Sequence, residues 1–186
     1  METNHINQSP IDLETLISGL KTEDARNLKL MHQMQQLMWG IASVYVFILA
    51  LKFIMTTPWY EKLGGFLIMV AFIAFALLFR NYYKEYKAID YGIPTIEMLK
   101  KAVSRYGLFQ WRGLFILVPL IIEGIGLNLM IYDNFTKLDP LNRILFFQIS
   151  YFFVMVIAFL VGYIIWKKRQ KPLRDYALAL LKEFQS

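Results

Sequence analysis

The sequence predicts an all-α membrane protein: a four-transmembrane-helix bundle with short amphipathic cytoplasmic helices. Three observations predict it. Four long apolar stretches are almost free of Asp, Glu, Lys and Arg. The chain is 57% hydrophobic and 18% charged, where an average soluble domain is about 45–50% apolar and about 25% charged. Its basic residues also gather on one side of those stretches.

A helix of about 20 apolar residues crosses a hydrocarbon core of about 30 Å. Residues 37–55, 63–80, 113–132 and 144–166 meet that requirement. The second is close to the short limit. The first is preceded by a polar approach, His32, Gln33, Gln35 and Gln36. Four such runs in 186 residues leave too little polar chain to wrap them as soluble core helices. The N-terminus does not read as a signal peptide, because the first apolar run starts late and no small-residue cleavage site follows it.

Charge sets the expected orientation. Lys21, Arg26 and Lys29 precede span one. Arg80, Lys84, Lys87, Lys100, Lys101, Arg105 and Arg112 lie between spans two and three. Lys167, Lys168, Arg169, Lys171, Arg174 and Lys182 follow span four. Lys52, Lys62, Lys137 and Arg143 fall on the opposite side. Short Lys- and Arg-rich segments stay cytoplasmic, so both termini are expected inside a bacterial inner membrane. Trp39, Trp59, Trp111 and Trp166 all stand at span ends, where an amphipathic ring prefers the headgroup layer. The net charge of +6 then belongs mainly to the two basic inner segments, facing anionic lipid headgroups. No recognition motif is interleaved with these charges, so no nucleic acid is expected.

The inner layer, residues 1–36, 81–112 and 167–186, reads as helical. Ser9-Pro10 has the form of a helix start, with a capping oxygen followed by Pro in the first turn. Leu13, Leu16, Ile17 and Leu20 follow as a one-face stripe. Gly19 and Lys21-Thr22 suggest a break, with Thr22, Glu23 and Asp24 opening a second helix that runs into span one. Span two is expected to continue to about Asp90 and to stop at Gly92 and Pro94. Thr95 then caps a helix presenting Ile96, Leu99, Val103 and Tyr106 on one side. Pro172 opens a last helix aligning Leu173, Tyr176, Leu180 and Phe184. These stripes must be covered by one another, by the bilayer surface or by a partner docked helix-in-groove.

Glu123 is the most informative residue. It falls near the middle of span three, where an ionised side chain costs roughly 2.5–3.5 kcal/mol. It must face helices or water, or hold its proton. Pro119 before it is expected to kink the helix, and Gly124 and Gly126 after it to permit close helix approach. By depth, Ser43 and Tyr45 of span one are expected to reach Glu123. Asn128 and Gln148 are expected to bond across spans three and four as a register lock. Lys52, in the outer half of span one, is expected to snorkel outward.

Chemistry is sparse elsewhere. Cys is absent and His5 and His32 are the two histidines, which leaves little for metal binding. No HExxH, GxSxG, Walker A or GxGxxG pattern occurs, so no catalytic residue, cofactor or enzyme activity is expected.

The segment from Tyr86 to Lys101, with Ile89-Asp90-Tyr91-Gly92-Ile93-Pro94-Thr95 at its centre and Arg105-Tyr106 after it, resembles small four-span inner-membrane proteins of the Bacteroidota. Some of these are encoded beside sigma factors, and the resemblance implies a regulatory, anti-sigma-like role. The leading expectation is a non-enzymatic regulatory or scaffold protein that engages a cytoplasmic protein partner through its inner helices. The rival is a small transporter or channel subunit using Glu123. With four spans it would need a homo-oligomer, which Gly-containing faces allow.

Overall fold

Helices account for nearly all of the described residues. The structure is a computed structural model that describes residues 13–55, 57–108, 111–135 and 139–184. The expected Ser9-Pro10 helix start lies outside them. No strand occurs among the described residues. The elements are α1 (Leu13–Ile54), α2 (Trp59–Lys87), α3 (Thr95–Arg105), α4 (Leu117–Ile131) and α5 (Pro140–Glu183). One 3-10 segment, Trp111–Ile116, leads into α4, and another, Tyr132–Phe135, leaves it. Among the described residues four helical stretches, Leu13–Ile54, Trp59–Lys87, Gly113–Ile131 and Pro140–Glu183, are long and apolar enough to cross a membrane, so the chain is a multi-pass membrane protein by the length criterion.

Three local expectations are corrected. The break at Gly19–Thr22 is absent, and α1 is one helix of 42 residues. A Cβ at Gly19 would stand 2.9 Å from Leu173 Cδ2, so this glycine lets α5 approach α1 and does not end a helix. Thr22 Oγ1 donates back to Ser18 O, a mid-helix bond and not a cap. Pro172 opens no helix either and lies inside α5. An interior Pro costs about 3 kcal/mol. Burial of Ala177, Leu180 and Leu181 directly after it offsets that cost. Pro119 lies in the first turn of α4, just after the 3-10 segment, so the winding changes beside it.

The α2–α3 connection differs by smaller steps. α2 ends at Lys87 with Ala88 as its cap, short of Asp90. Gly92 N–H donates to Asp90 Oδ1 at 2.7 Å, which tightens the turn. Pro94, not Thr95, holds the position before α3, and no side chain caps that helix.

In the spanning region α2 packs on α1 and on α4. The α2–α4 contact is backbone to backbone. A Cβ at Gly64 would lie 2.7 Å from Gly126 O, and one at Gly126 would lie 2.9 Å from Gly64 O. The expected close approach at Gly126 is therefore made inside the chain. At the α1–α2 turn, Lys52 does not reach into open solvent but pairs with Glu61. Tyr60 donates to Asp133, and the Arg143 guanidinium lies 5.4 Å over the Tyr132 ring and donates to Tyr132 O. These pairs tie the turn ends together at the end opposite Leu13 and Phe184.

The buried apolar core lies at the other end. Leu16 and Leu20 of α1, Met98, Leu99 and Ala102 of α3, Tyr106, and Ala177, Leu180 and Leu181 of α5 form one cluster. We call this assembly of three helix segments the headpiece.

Candidate functional site

The headpiece takes up most of the side chains that were expected to face a partner. Leu16, Leu20, Leu99 and Tyr106 are buried in its core, and Leu13, Ile17 and Val103 pack against it. Ile96 is the exception, at 41% exposed on the outer side of α3. On α5 the inward face is Leu173, Ala177, Leu180 and Leu181, while Tyr176 and Phe184 point outward. The stripes are thus satisfied by one another, the first of the three outcomes the sequence allowed.

At the centre of the headpiece is an acid that sequence reasoning passed over. Asp24 is 4% exposed and sits between helices. Tyr91 O–H donates to its Oδ2 at 2.5 Å, and Tyr106 O–H donates to its Oδ1 at 2.7 Å. Arg105 Nη1 closes the set as a salt bridge to Oδ2. Burial, then the hydrogen bond to Asp24, pushes both Tyr91 and Tyr106 well above the ordinary phenol value, so both stay protonated as donors. The carboxylate therefore joins α1 to the α2–α3 turn and to the end of α3. Trp166 of α5 extends the lock, its Nε1 donating to Tyr106 O at 2.9 Å.

Asp24 carried no apolar signal, and its partners lie far along the chain. The available cue was Arg105-Tyr106 following an amphipathic helix, with an acid on the facing side of another. His32, at the span boundary, stacks near Tyr83 with ring centroids 5.1 Å apart.

The mid-span site is less convergent. Glu123 is half-buried, and its partner comes from α5: Tyr151 O–H lies 3.4 Å from Oε2 and donates to Leu120 O at 3.0 Å. Tyr151 also covers Gly124, where a Cβ would meet its ring at 3.4 Å. Sequence reasoning missed Tyr151, although depth matching with antiparallel span four could have found it. Tyr45 lies within electrostatic range of Glu123, with its ring 5.5 Å from Phe72. Ser43 does not join them, because its Oγ donates to Trp39 O on its own helix. The Asn128–Gln148 lock is also absent. Asn128 Nδ2 donates to Gly124 O at 3.1 Å, and its buried Oδ1 has no partner. The intrahelical bond at Asn128 satisfies the donor and leaves Gln148 aside.

No protein-family model matches the sequence, and no curated protein or solved structure matches it either.

Proposed function

We propose that the chain is a non-enzymatic regulatory or scaffold protein of the bacterial inner membrane, with both termini and the headpiece in the cytoplasm. The observation that carries this reading is the headpiece itself. Three helix segments converge on a shared core and a buried Asp24 lock, a rigid body on one side of the spans. Such a body suits recognition more than chemistry, since the lock takes up Asp24, Arg105, Tyr91 and Tyr106.

On this reading recognition falls on the outward faces, because the apolar stripes are buried against one another. Ile96 and Lys100 on α3, with Tyr176 on α5, are exposed there. The resemblance to four-span proteins encoded beside sigma factors agrees with a cytoplasmic protein partner. The rival transporter reading rests on one half-buried carboxylate beside two tyrosines, a poor relay for lack of a second ionisable carrier.

Site-specific photocrosslinking of the full chain in its native membrane tests the proposal. A photoreactive side chain at Ile96 is expected to yield a discrete protein adduct, and Lys100→Glu to abolish it. Because the chain has no Cys, Ser104→Cys gives a single-thiol report of orientation. Labelling of Ser104→Cys in intact cells by a membrane-impermeant maleimide, or the absence of an adduct from every exposed headpiece position, would overturn the reading.

A further inference from the structure

Near the headpiece α5 stands off from its neighbours. None of the residues in its most apolar stretch is buried within the chain, whereas a third of those in α2 are. Its contact with α4 is made around Tyr151, by the bonds to Leu120 and Glu123. Between that contact and the headpiece the helices leave a cleft of about 580 Å³.

The cleft is graded along its length. Phe79 of α2, Leu117 of α4, and Phe159 and Gly162 of α5 line its apolar part. Glu85, Arg105 and Gln170 form its polar lining. A Cβ added at Gly162 would meet nothing within 4 Å, so the space is open where α5 passes it. Ligand-binding clefts run about 300–1,000 Å³. Water in an open apolar cleft at spanning depth would be stranded from polar partners. The molecules present at that depth are lipids.

We infer that this cleft is a binding site for one acyl chain of a membrane phospholipid, with the headgroup at the level of Arg105 and Gln170. Recognition is directed at the chain and not at the headgroup. Arg105 is already paired with Asp24, so its charge is not free to select an anionic phosphate. The occupant would touch Trp166 and Tyr86, which also line the cleft. Trp166 in turn holds Tyr106 O, so the bound chain abuts the Asp24 lock.

The test uses the full chain, purified in a mild detergent micelle and read by native mass spectrometry against added palmitoyl-oleoyl phosphatidylglycerol or phosphatidylethanolamine. The wild type is expected to retain about one lipid per chain, with the two headgroups within about twofold of each other. Gly162→Phe fills the open space and is expected to weaken retention about tenfold. Gly40→Phe is the control: a Cβ there also meets nothing within 4 Å, but the residue lies on α1 away from the cleft, and retention should stay at the wild-type level. Circular dichroism and gel filtration establish that both variants are folded. If folded Gly162→Phe retains lipid as the wild type does, or Gly40→Phe loses it equally, the site is not this cleft. Retention confined to phosphatidylglycerol would overturn the chain-directed recognition. None of these readouts depends on a protein partner, so they stand or fall apart from the proposed function.

Discussion

Replacing Asp24 by Asn should loosen the headpiece while leaving the spans intact. Asp24 is 4% exposed and accepts from Tyr91, Tyr106 and Arg105. Asn keeps the shape and one acceptor oxygen. It replaces the other with an amide that donates toward groups that are themselves donors. Arg105 then loses its counter-charge. Removing one member of a buried ion pair costs about 3–5 kcal/mol. The Arg105 side chain is 23% exposed, so some water reaches it and the lower end applies. We expect a loss of about 3 kcal/mol, which is roughly a 150-fold rise in local opening. Hydrogen exchange of the full chain in micelles, read by mass spectrometry, resolves this by region. Peptides covering 13–30, 95–106 and 173–183 should exchange faster by that factor, and peptides within 63–80 and 117–131 should not change. Glu97→Gln serves as the control. Its side chain is 53% exposed in a surface pair with Lys101, and such pairs contribute about 0–1 kcal/mol. An Asp24→Asn effect below about fivefold, or an equal rise in the spans, would refute the lock.

Two further predictions concern packing and pH. Gly126→Ala places a Cβ 2.8 Å from Ile68 Cγ1 and 2.9 Å from Gly64 O. That forces α2 from α4 at a cost of about 1–3 kcal/mol, seen as a lower melting temperature in micelles; Gly40→Ala, with open space around it, should show no loss. Raised folded-state values for the Tyr91 and Tyr106 hydroxyls mean that the folded chain holds those protons more tightly than the unfolded one. Their contribution is fully present below the ordinary phenol value of 10.0. It is lost above that pH, as unfolded hydroxyls ionise while folded ones cannot. Tyr91→Phe should therefore cost about 1–2 kcal/mol at neutral pH and show a smaller deficit at about pH 11. A deficit that is constant with pH would contradict the donor role of Tyr91.

The four spans were legible because each is a long uninterrupted apolar run, a signal that needs no tertiary information. The headpiece core was legible where large side chains repeat at helical spacing, as with Leu16, Leu20, Leu99 and Tyr106. It was misread at Ile96, Tyr176 and Phe184, where a rotation of one residue moves a helix face and no neighbour along the sequence fixes it. Ala102 and Ala177 were passed over because a small side chain adds little to an apolar stripe, yet small size is what lets the helices meet. Asp24 was missed for a different reason. Its partners Tyr91, Arg105 and Tyr106 are 67, 81 and 82 residues away, and an acid near a helix start reads locally as a favourable charge. Gly19 and Pro172 looked like breaks for the same reason: local propensity favours interruption, and tertiary burial between α1 and α5 overrides it.

The continuity of α1 has a mechanical consequence. Its 42 residues make a rod about 63 Å long at 1.5 Å per residue. One end is tied at Lys52–Glu61 and the other carries Asp24. Without a joint at Gly19 the helix runs unbroken from one tie to the other. A ~5° tilt pivoting at the far turn would sweep the headpiece end by about 5 Å, a full helical turn's length. α1 is therefore one unbroken strut, and whatever tilt it takes at the Lys52–Glu61 end is carried without a joint to the Asp24 end.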